Sequence, residues 1–347
     1  MRLFRSRLLL CLVFLGGCDG SPWNNPYPAS QAGANILYSS FAERPKHLDP
    51  VQSYSENEYT FIAQIYQPPL QYHYFKRPYE LIPFGAAELP RPAFLDARGR
   101  HLLDNADAKD IAFSEYTIRI RPGMLYQPHP ALATDEKGTL LYHNLKPGEL
   151  DGIYALGDFK RDGTRELVAA DYVHQIKRLA HPRLHSPILG LMSEYIVGLK
   201  ELAAALAKAD KALPAAGILD LTQFGLEGAQ TLDRYTYRIK VRGKYPQFLY
   251  WLAMPFFAPV PPEADRFYAQ PGMAEKNITL DWFPIGSGPY MLTVNNPNRQ
   301  MVLERNPNYK GEVYPDEREP GDAEAGLLKD AGKPLPFIDK VVFSLEK

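Results

Sequence analysis

The stretch that decides the fold is Pro284-Ile285-Gly286-Ser287-Gly288-Pro289-Tyr290, followed after a short gap by Leu303-Glu304-Arg305-Asn306-Pro307-Asn308-Tyr309-Lys310-Gly311. Two glycines and a proline in succession punctuate the chain as a tight turn. Two chemical readings of the turn fail on spacing. A nucleophile elbow needs glycine two places to either side of the serine, and Ile285 and Pro289 stand there instead. A dinucleotide-binding loop needs a third glycine where Met291 stands, with a helix to follow, whereas residues 291–305 read as two strands joined by a turn at 295–298.

Working outward, strands and helices interleave, which predicts a mixed α/β fold. Alternating apolar and polar residues predict strands at 116–121 and 235–241, 337–345 is a clear strand pattern, and a short β-prone run at 35–41 opens the folded part. Helical spacing predicts a helix over 56–67, with Tyr59, Ile62, Ala63 and Tyr66 on one side, stopped by Pro68-Pro69. A second covers 170–179, with Tyr172, Val173, Ile176 and Leu179 on one face and Pro182 as its stop. A third, rich in Ala and Leu, covers 195–211 and ends before Pro214. There is no internal repeat of 20–50 residues.

The 347 residues fit about two domains. With 45% hydrophobic, 12% aromatic and 23% charged residues, the chain can build a core. The 39 Lys and Arg against 40 Asp and Glu leave a net charge of −1, which excludes a field that would draw the chain to nucleic acid. Its 32 prolines are about 9% of the chain, against a usual ~5%, so loops and extended segments are abundant.

The chain opens with Arg2, Arg5 and Arg7, then an apolar run from Leu8 to Leu15, too short for the ~20 residues that span a bilayer. That pattern is an export signal. Leu15-Gly16-Gly17-Cys18 resembles the bacterial lipobox, which implies cleavage before Cys18, lipid on its thiol and no internal disulfide, since only Cys11 remains and it leaves with the signal. Asp19 resembles the residue that retains such lipoproteins on the inner membrane. Residues 18–35, with Pro22, Pro26 and Pro28, then form a tether.

Enzymatic and metal readings find little support. His174, His181 and His185 are close in sequence, but the helix breaks at Pro182, so they cannot share one helical face as metal ligands. No phosphate-binding loop occurs, and Asn277-Ile278-Thr279 matches a glycosylation sequon by spacing alone. No cofactor, metal or catalytic residue is expected. Aromatics remain: 22 Tyr, 17 Phe and 3 Trp, with Tyr66, Tyr72, Tyr74, Phe75 and Tyr79 crowded together. Core packing accounts for most of them, and an aromatic binding surface for a flexible ligand is the alternative.

Several stretches together resemble the family 5 extracellular solute-binding proteins, the large peptide-type binding proteins of ABC importers. Pro284 to Tyr290 is similar to the family's P-x-G-[ST]-G-P-[YF] turn, and Arg305 to Gly311 to its R-N-P-x-Y-W-G, with Lys310 in place of the Trp. Leu48-Asp49-Pro50 and Ile65 to Leu70 resemble its opening, Tyr116 to Gly123 its Y-T-[FI]-x-[LI]-[RK]-x-G, Ala169 to Val173 a helix start, and Asp233 to Thr236 a strand. Tyr126-Gln127-Pro128 lacks the usual H-D-G, and a long segment, 312–336, precedes the last strand.

The resemblance implies a periplasmic binding protein type II-like fold of the large peptide-binding class. It implies residues 1–17 as signal, 18–35 as tether, 36–50 and 250–347 as the main part of a first lobe, and 51–249 as an inserted subdomain. The strand at 337–345 would be the crossing into a second lobe, so the resemblance implies an N-terminal portion with the second lobe missing and negligible ligand affinity by itself. The implied function is capture of peptides or other small solutes for an ABC permease and ATPase, on the periplasmic face of the inner membrane. A sensing lipoprotein on the same scaffold and a non-functional remnant are the alternatives. The loop from Val51 to Asn57 would reach the ligand, with Val51, Ser53, Tyr54, Ser55 and Asn57 as candidates and Tyr54 foremost. Gly286, Ser287, Gly288, Pro289 and Tyr290 would form a structural turn, Tyr290 packing beneath the cleft.

Overall fold

A computed structural model describes residues 29–346 except 32, 147, 215 and 216. The export signal, the lipobox and Cys18 lie outside the described residues.

Two four-stranded sheets organise the chain. The first joins β1 (Ile36–Phe41), β10 (Lys340–Leu345), β9 (Gln300–Arg305) and β8 (Tyr290–Asn296) in that order. Its β1 and β10 run parallel, from Ile36 opposite Lys340 to Phe41 opposite Leu345, while β8, β9 and β10 are antiparallel. The second joins β4 (Pro92–Leu95), β5 (Phe113–Arg119), β7 (Thr236–Arg242) and β6 (Ala229–Asp233), all antiparallel. Its strands show the period of two that buries one face: Ser114, Tyr116 and Ile118 on β5, and Tyr237, Ile239 and Val241 on β7, are buried. A small hairpin, β2 (Leu70–Tyr72) with β3 (Leu81–Pro83), lies between them in sequence.

Helix α1 (Glu56–Ile65) packs on the first sheet, where the Phe61 ring meets Phe343 at 4.8 Å and Phe41 at 6.0 Å. Its buried face is Glu58, Phe61, Ile62 and Ile65, so the expected face is rotated: Tyr59 is exposed and Ala63 half-buried. Because α1 lies within 51–249 yet packs on β1 and β10, the packing does not divide at residue 51.

Helix α2 (Ala169–Arg178) is buried almost all round, with Asp171, His174, Gln175 and Arg178 as well as its apolar residues inside. Tyr172 stacks on Tyr237 of β7 at 5.2 Å, a pair that contributes ~0.5–1.5 kcal/mol beyond the area it buries. A helix buried on its polar side must pair its charges, and this one does, as described below.

Three expected boundaries are corrected. The helix expected over 195–211 is two: α3 (Leu189–Tyr195) and α4 (Leu199–Ala212). Between them Ile196 and Val197 pair with the edge of β7, Val197 N–H donating to Lys240 O at 3.1 Å, and Gly198 turns the chain at φ 80°. Strand β5 starts at Phe113 and ends at Arg119, since Arg121 N–H turns away to Gly85 O. The last strand starts at Lys340, not Phe337. The Phe337 carbonyl is taken by Asn35 Nδ2 (2.7 Å) and Arg305 Nη2 (2.9 Å), and that of Ile338 by Tyr290 OH (2.9 Å), so neither enters the ladder.

Candidate functional site

The carboxyl ends of the parallel pair β1 and β10 open on one side of the first sheet, and in open α/β sheets that side is where ligands sit. The chain leaving β1 forms a loop, residues 42–55, whose backbone is fastened by three carboxylates, two buried (Asp49 and Glu58) and one half-buried (Asp281). Glu58, on the first turn of α1, accepts His47 N–H (2.9 Å), Lys46 N–H (3.1 Å), Tyr54 N–H (3.0 Å), Ser55 N–H (3.2 Å) and the Ser53 hydroxyl (3.0 Å). Burial pushes the Glu58 carboxyl up, but the hydrogen bonds from Ser55, His47 and Tyr54 outweigh it and hold the pKa below the ordinary glutamate value.

Asp281 accepts Leu48 N–H (3.1 Å) and Asp49 N–H (2.9 Å), and its second oxygen lies 2.9 Å from His47 Nδ1. Burial, then the neighbouring Asp49 charge, raises its pKa.

Asp49 is the third anchor. It forms a bidentate pair with Arg178 of α2 (2.9 and 2.7 Å) and accepts Val51 N–H (3.0 Å). Arg178 also donates to Gln175 (3.0 Å) and from Nε to Asp265 (2.9 Å), which in turn lies 2.8 Å from His174 Nε2. Burial opposes the Asp265 charge, yet Arg178 and His174 hold its pKa far below the usual carboxylate range. The guanidinium has all its nitrogens engaged, which is the condition for burying a charge.

With its backbone fixed, the loop divides its side chains. Val51 is fully buried and Ser53 is spent on Glu58, so neither offers a side chain to a ligand; for these two the expected lining role is corrected. Asn57 Nδ2 ties back to the carbonyls of Glu43 (3.3 Å) and Arg44 (3.1 Å). Ser55 is exposed, and Tyr54 is 70% exposed with its ring 6.1 Å from Phe256. Tyr54, Ser55 and Asn57 line a crevice of ≈ 880 Å³ together with Glu43, Arg44, His47 and Trp282, closed by the β8–β9 turn at Pro297 and Asn298. Sequence reading missed Trp282, Arg44 and His47.

A second concavity of ≈ 570 Å³ is lined by Tyr59, Tyr72, Tyr250, Trp251 and Met254. Tyr72 stacks on Tyr250 at 6.3 Å and meets Tyr79 edge-on at 6.0 Å. Of the crowded aromatics, Tyr72, Tyr74 and Tyr79 are exposed and Tyr66 is core, its hydroxyl on Leu48 O at 3.2 Å.

The turn at 284–290 stands at the other end of α1. A Cβ on Gly286 would lie 1.9 Å from the Ile65 carbonyl oxygen, and one on Gly288 2.7 Å from it, so both positions require glycine for close approach. Gly288 N–H caps that carbonyl at 2.8 Å. Ser287 is buried beside the Gln67 amide, and Tyr290 is buried with its hydroxyl on Ile338 O. Among the described residues no three His, Cys, Asp or Glu side chains gather as metal ligands, and no helix is long and apolar enough to cross a membrane.

The crevice, with Tyr54 and Trp282 among polar and charged neighbours, opens at the carboxyl end of β1, the side of an open α/β sheet where ligands sit. The model for "Bacterial extracellular solute-binding proteins, family 5 Middle" matches residues 161–344, more than half of the chain, and the chain belongs to that family. It is a family of solute-binding proteins and not one of enzymes. No curated protein matches the sequence. Solved structures share the fold: OppA of Listeria monocytogenes bound to peptide (14% identity, 91% of this chain and 43% of that chain, TM-score 0.53). Others are the murein tripeptide binding protein MppA of Escherichia coli (16%, 90% and 42%, 0.52) and the periplasmic DppA of Helicobacter pylori with the peptide STSA (16%, 90% and 43%, 0.52). The chain thus spans less than half the length of the structures it matches.

Proposed function

We propose that this chain provides one wall of a peptide-capturing cleft in the substrate-binding component of an ABC importer, held to the periplasmic face of the inner membrane by lipid on Cys18. The observation that carries the reading is the loop Glu43–Glu58: its backbone is immobilised by Glu58, Asp281 and Asp49, while Tyr54, Ser55 and the crevice beside them face outward. A rigid aromatic wall accepts varied side chains at low entropic cost, and hydroxyl and amide groups on the same wall bind a peptide main chain. The family match supports solute binding, and the peptides named with its structural neighbours favour a peptide as the solute. Capture is closure of a second wall over the ligand, with no bond made or broken.

The test is uptake of a labelled peptide mixture by cells that lack the gene and by cells in which it is restored. Loss and recovery of uptake support import. Unchanged uptake, with a native protein that carries no peptide when extracted from its membranes, contradicts it. Cys18→Ser moves the protein from the membrane to the soluble fraction if the lipid anchor is real.

A further inference from the structure

At the end of α1 remote from the loop, a cavity of ≈ 200 Å³ is lined by Arg121, Lys310, Gln67, Asn308, Ser287 and Gly123, among others. Ten residues of helix put it ~15 Å from the first turn of α1. Its charge is one-sided, because Arg121 and Lys310 line it and no carboxylate does. The carboxylates on the flanking segments sit at the rim, already hydrogen-bonded. Glu312 accepts Gln71 Nε2 (2.8 Å), Tyr74 OH (3.0 Å) and Tyr309 OH, and Glu166 accepts Gly123 N–H (2.8 Å) and pairs with Arg234 (2.6 Å). Among the described residues Arg121 and Lys310 form no ion pair.

Arg121 is partly satisfied. Its Nη2 donates to Phe84 O and, with the Gln67 amide turned so that its nitrogen reaches Ser287 O (3.2 Å), to Gln67 at 2.9 Å. Its Nε is buried without an acceptor. Its Nη1 lies beside Gly311 of the lining and donates to no acceptor among the described residues, and a charged acceptor best meets an idle donor on a cation. Lys310 supplies a second cation to the lining. The volume lies below the ~300 Å³ of pockets that take drug-sized ligands, and suits a group of a few atoms.

We propose that this cavity is a binding site for a small oxyanion, a phosphate or a carboxylate, held between the Arg121 guanidinium, through its Nη1, and Lys310. The site is independent of the crevice at Tyr54, so neither reading falls with the other.

The test titrates the full chain with sodium phosphate or sodium acetate against chloride at constant ionic strength, following the Arg Nε–H resonances by NMR. The Arg121 signal, assigned by its loss in Arg121→Lys, is expected to shift saturably. Lys310→Gln, a change at an exposed position, is expected to weaken the effect about tenfold, the loss of one charge-assisted contact. Saturation by phosphate alone names a phosphate ligand, saturation by acetate alone names a carboxylate such as a peptide terminus, and saturation by both leaves the shared chemistry; each supports the site. No saturable shift with either anion overturns it, as does an affinity unchanged by Lys310→Gln in a chain that remains folded.

Discussion

The two ends of α1 use their side chains in opposite ways. At its start, the loop 43–58 spends buried carboxylates on its own backbone and leaves Tyr54 and Ser55 to solvent; at its end, the turn 284–290 spends everything inward, with two glycines against Ile65 O and Ser287 and Tyr290 buried. Both stretches carry family motifs, yet only the first leaves side chains exposed to solvent. A motif whose residues are consumed by packing can only position a site, whereas a loop with an over-determined backbone and idle side chains can serve as one.

The contrast can be broken most sharply at Arg178. Arg178→Met leaves Asp49 and Asp265 buried without their cation and releases the loop, at a cost of about 3–5 kcal/mol in denaturant unfolding, with raised hydrogen exchange at residues 46–55. A cost under ~1 kcal/mol would show that the network does not clamp the loop. Gly286→Ala comes next. Its Cβ meets backbone and not a flexible side chain, so a loss of ~1–3 kcal/mol is expected without any change at Tyr54.

Acid offers a third handle. Because the folded pKa values of Glu58 and Asp265 lie below their unfolded values, the stability they contribute is complete above the unfolded values and is lost as pH falls through the folded ones. Glu58→Gln should therefore flatten the fall in stability between about pH 5 and 3, as read by urea titrations across that range. The smallest effect on stability belongs to Tyr54→Ala, within ~0.5 kcal/mol because the side chain is mostly in water, while peptide capture by the native protein should weaken. If Tyr54→Ala destabilised as much as Gly286→Ala, the two ends of α1 would not differ.

Much of the fold is legible from period alone, because β5 and β7 alternate cleanly and α1 and α2 stop near prolines. The break at Gly198 is not, since a glycine inside an Ala- and Leu-rich run is silent until Ile196 finds the edge of β7. The site was half legible. Resemblance led to Tyr54, Ser55 and Asn57, but Asp49 and Arg178 lie 129 residues apart, and Asp281 lies 232 from Asp49, so no local pattern joins them. One local signal was there: Ser55 followed by Glu58 is the spacing of a capping box, and it points to the carboxylate that fastens the loop.

The central claim, that the wall at 43–58 receives peptide, is tested most directly by photo-crosslinking. Benzophenone-bearing tetrapeptides are irradiated with the native protein extracted from its source membranes, and the modified residues are mapped by mass spectrometry. The account predicts adducts at Tyr54, Ser55 or Trp282, diminished by unlabelled peptide. Adducts that resist competition, or that spare this wall and fall on other surfaces, would contradict it.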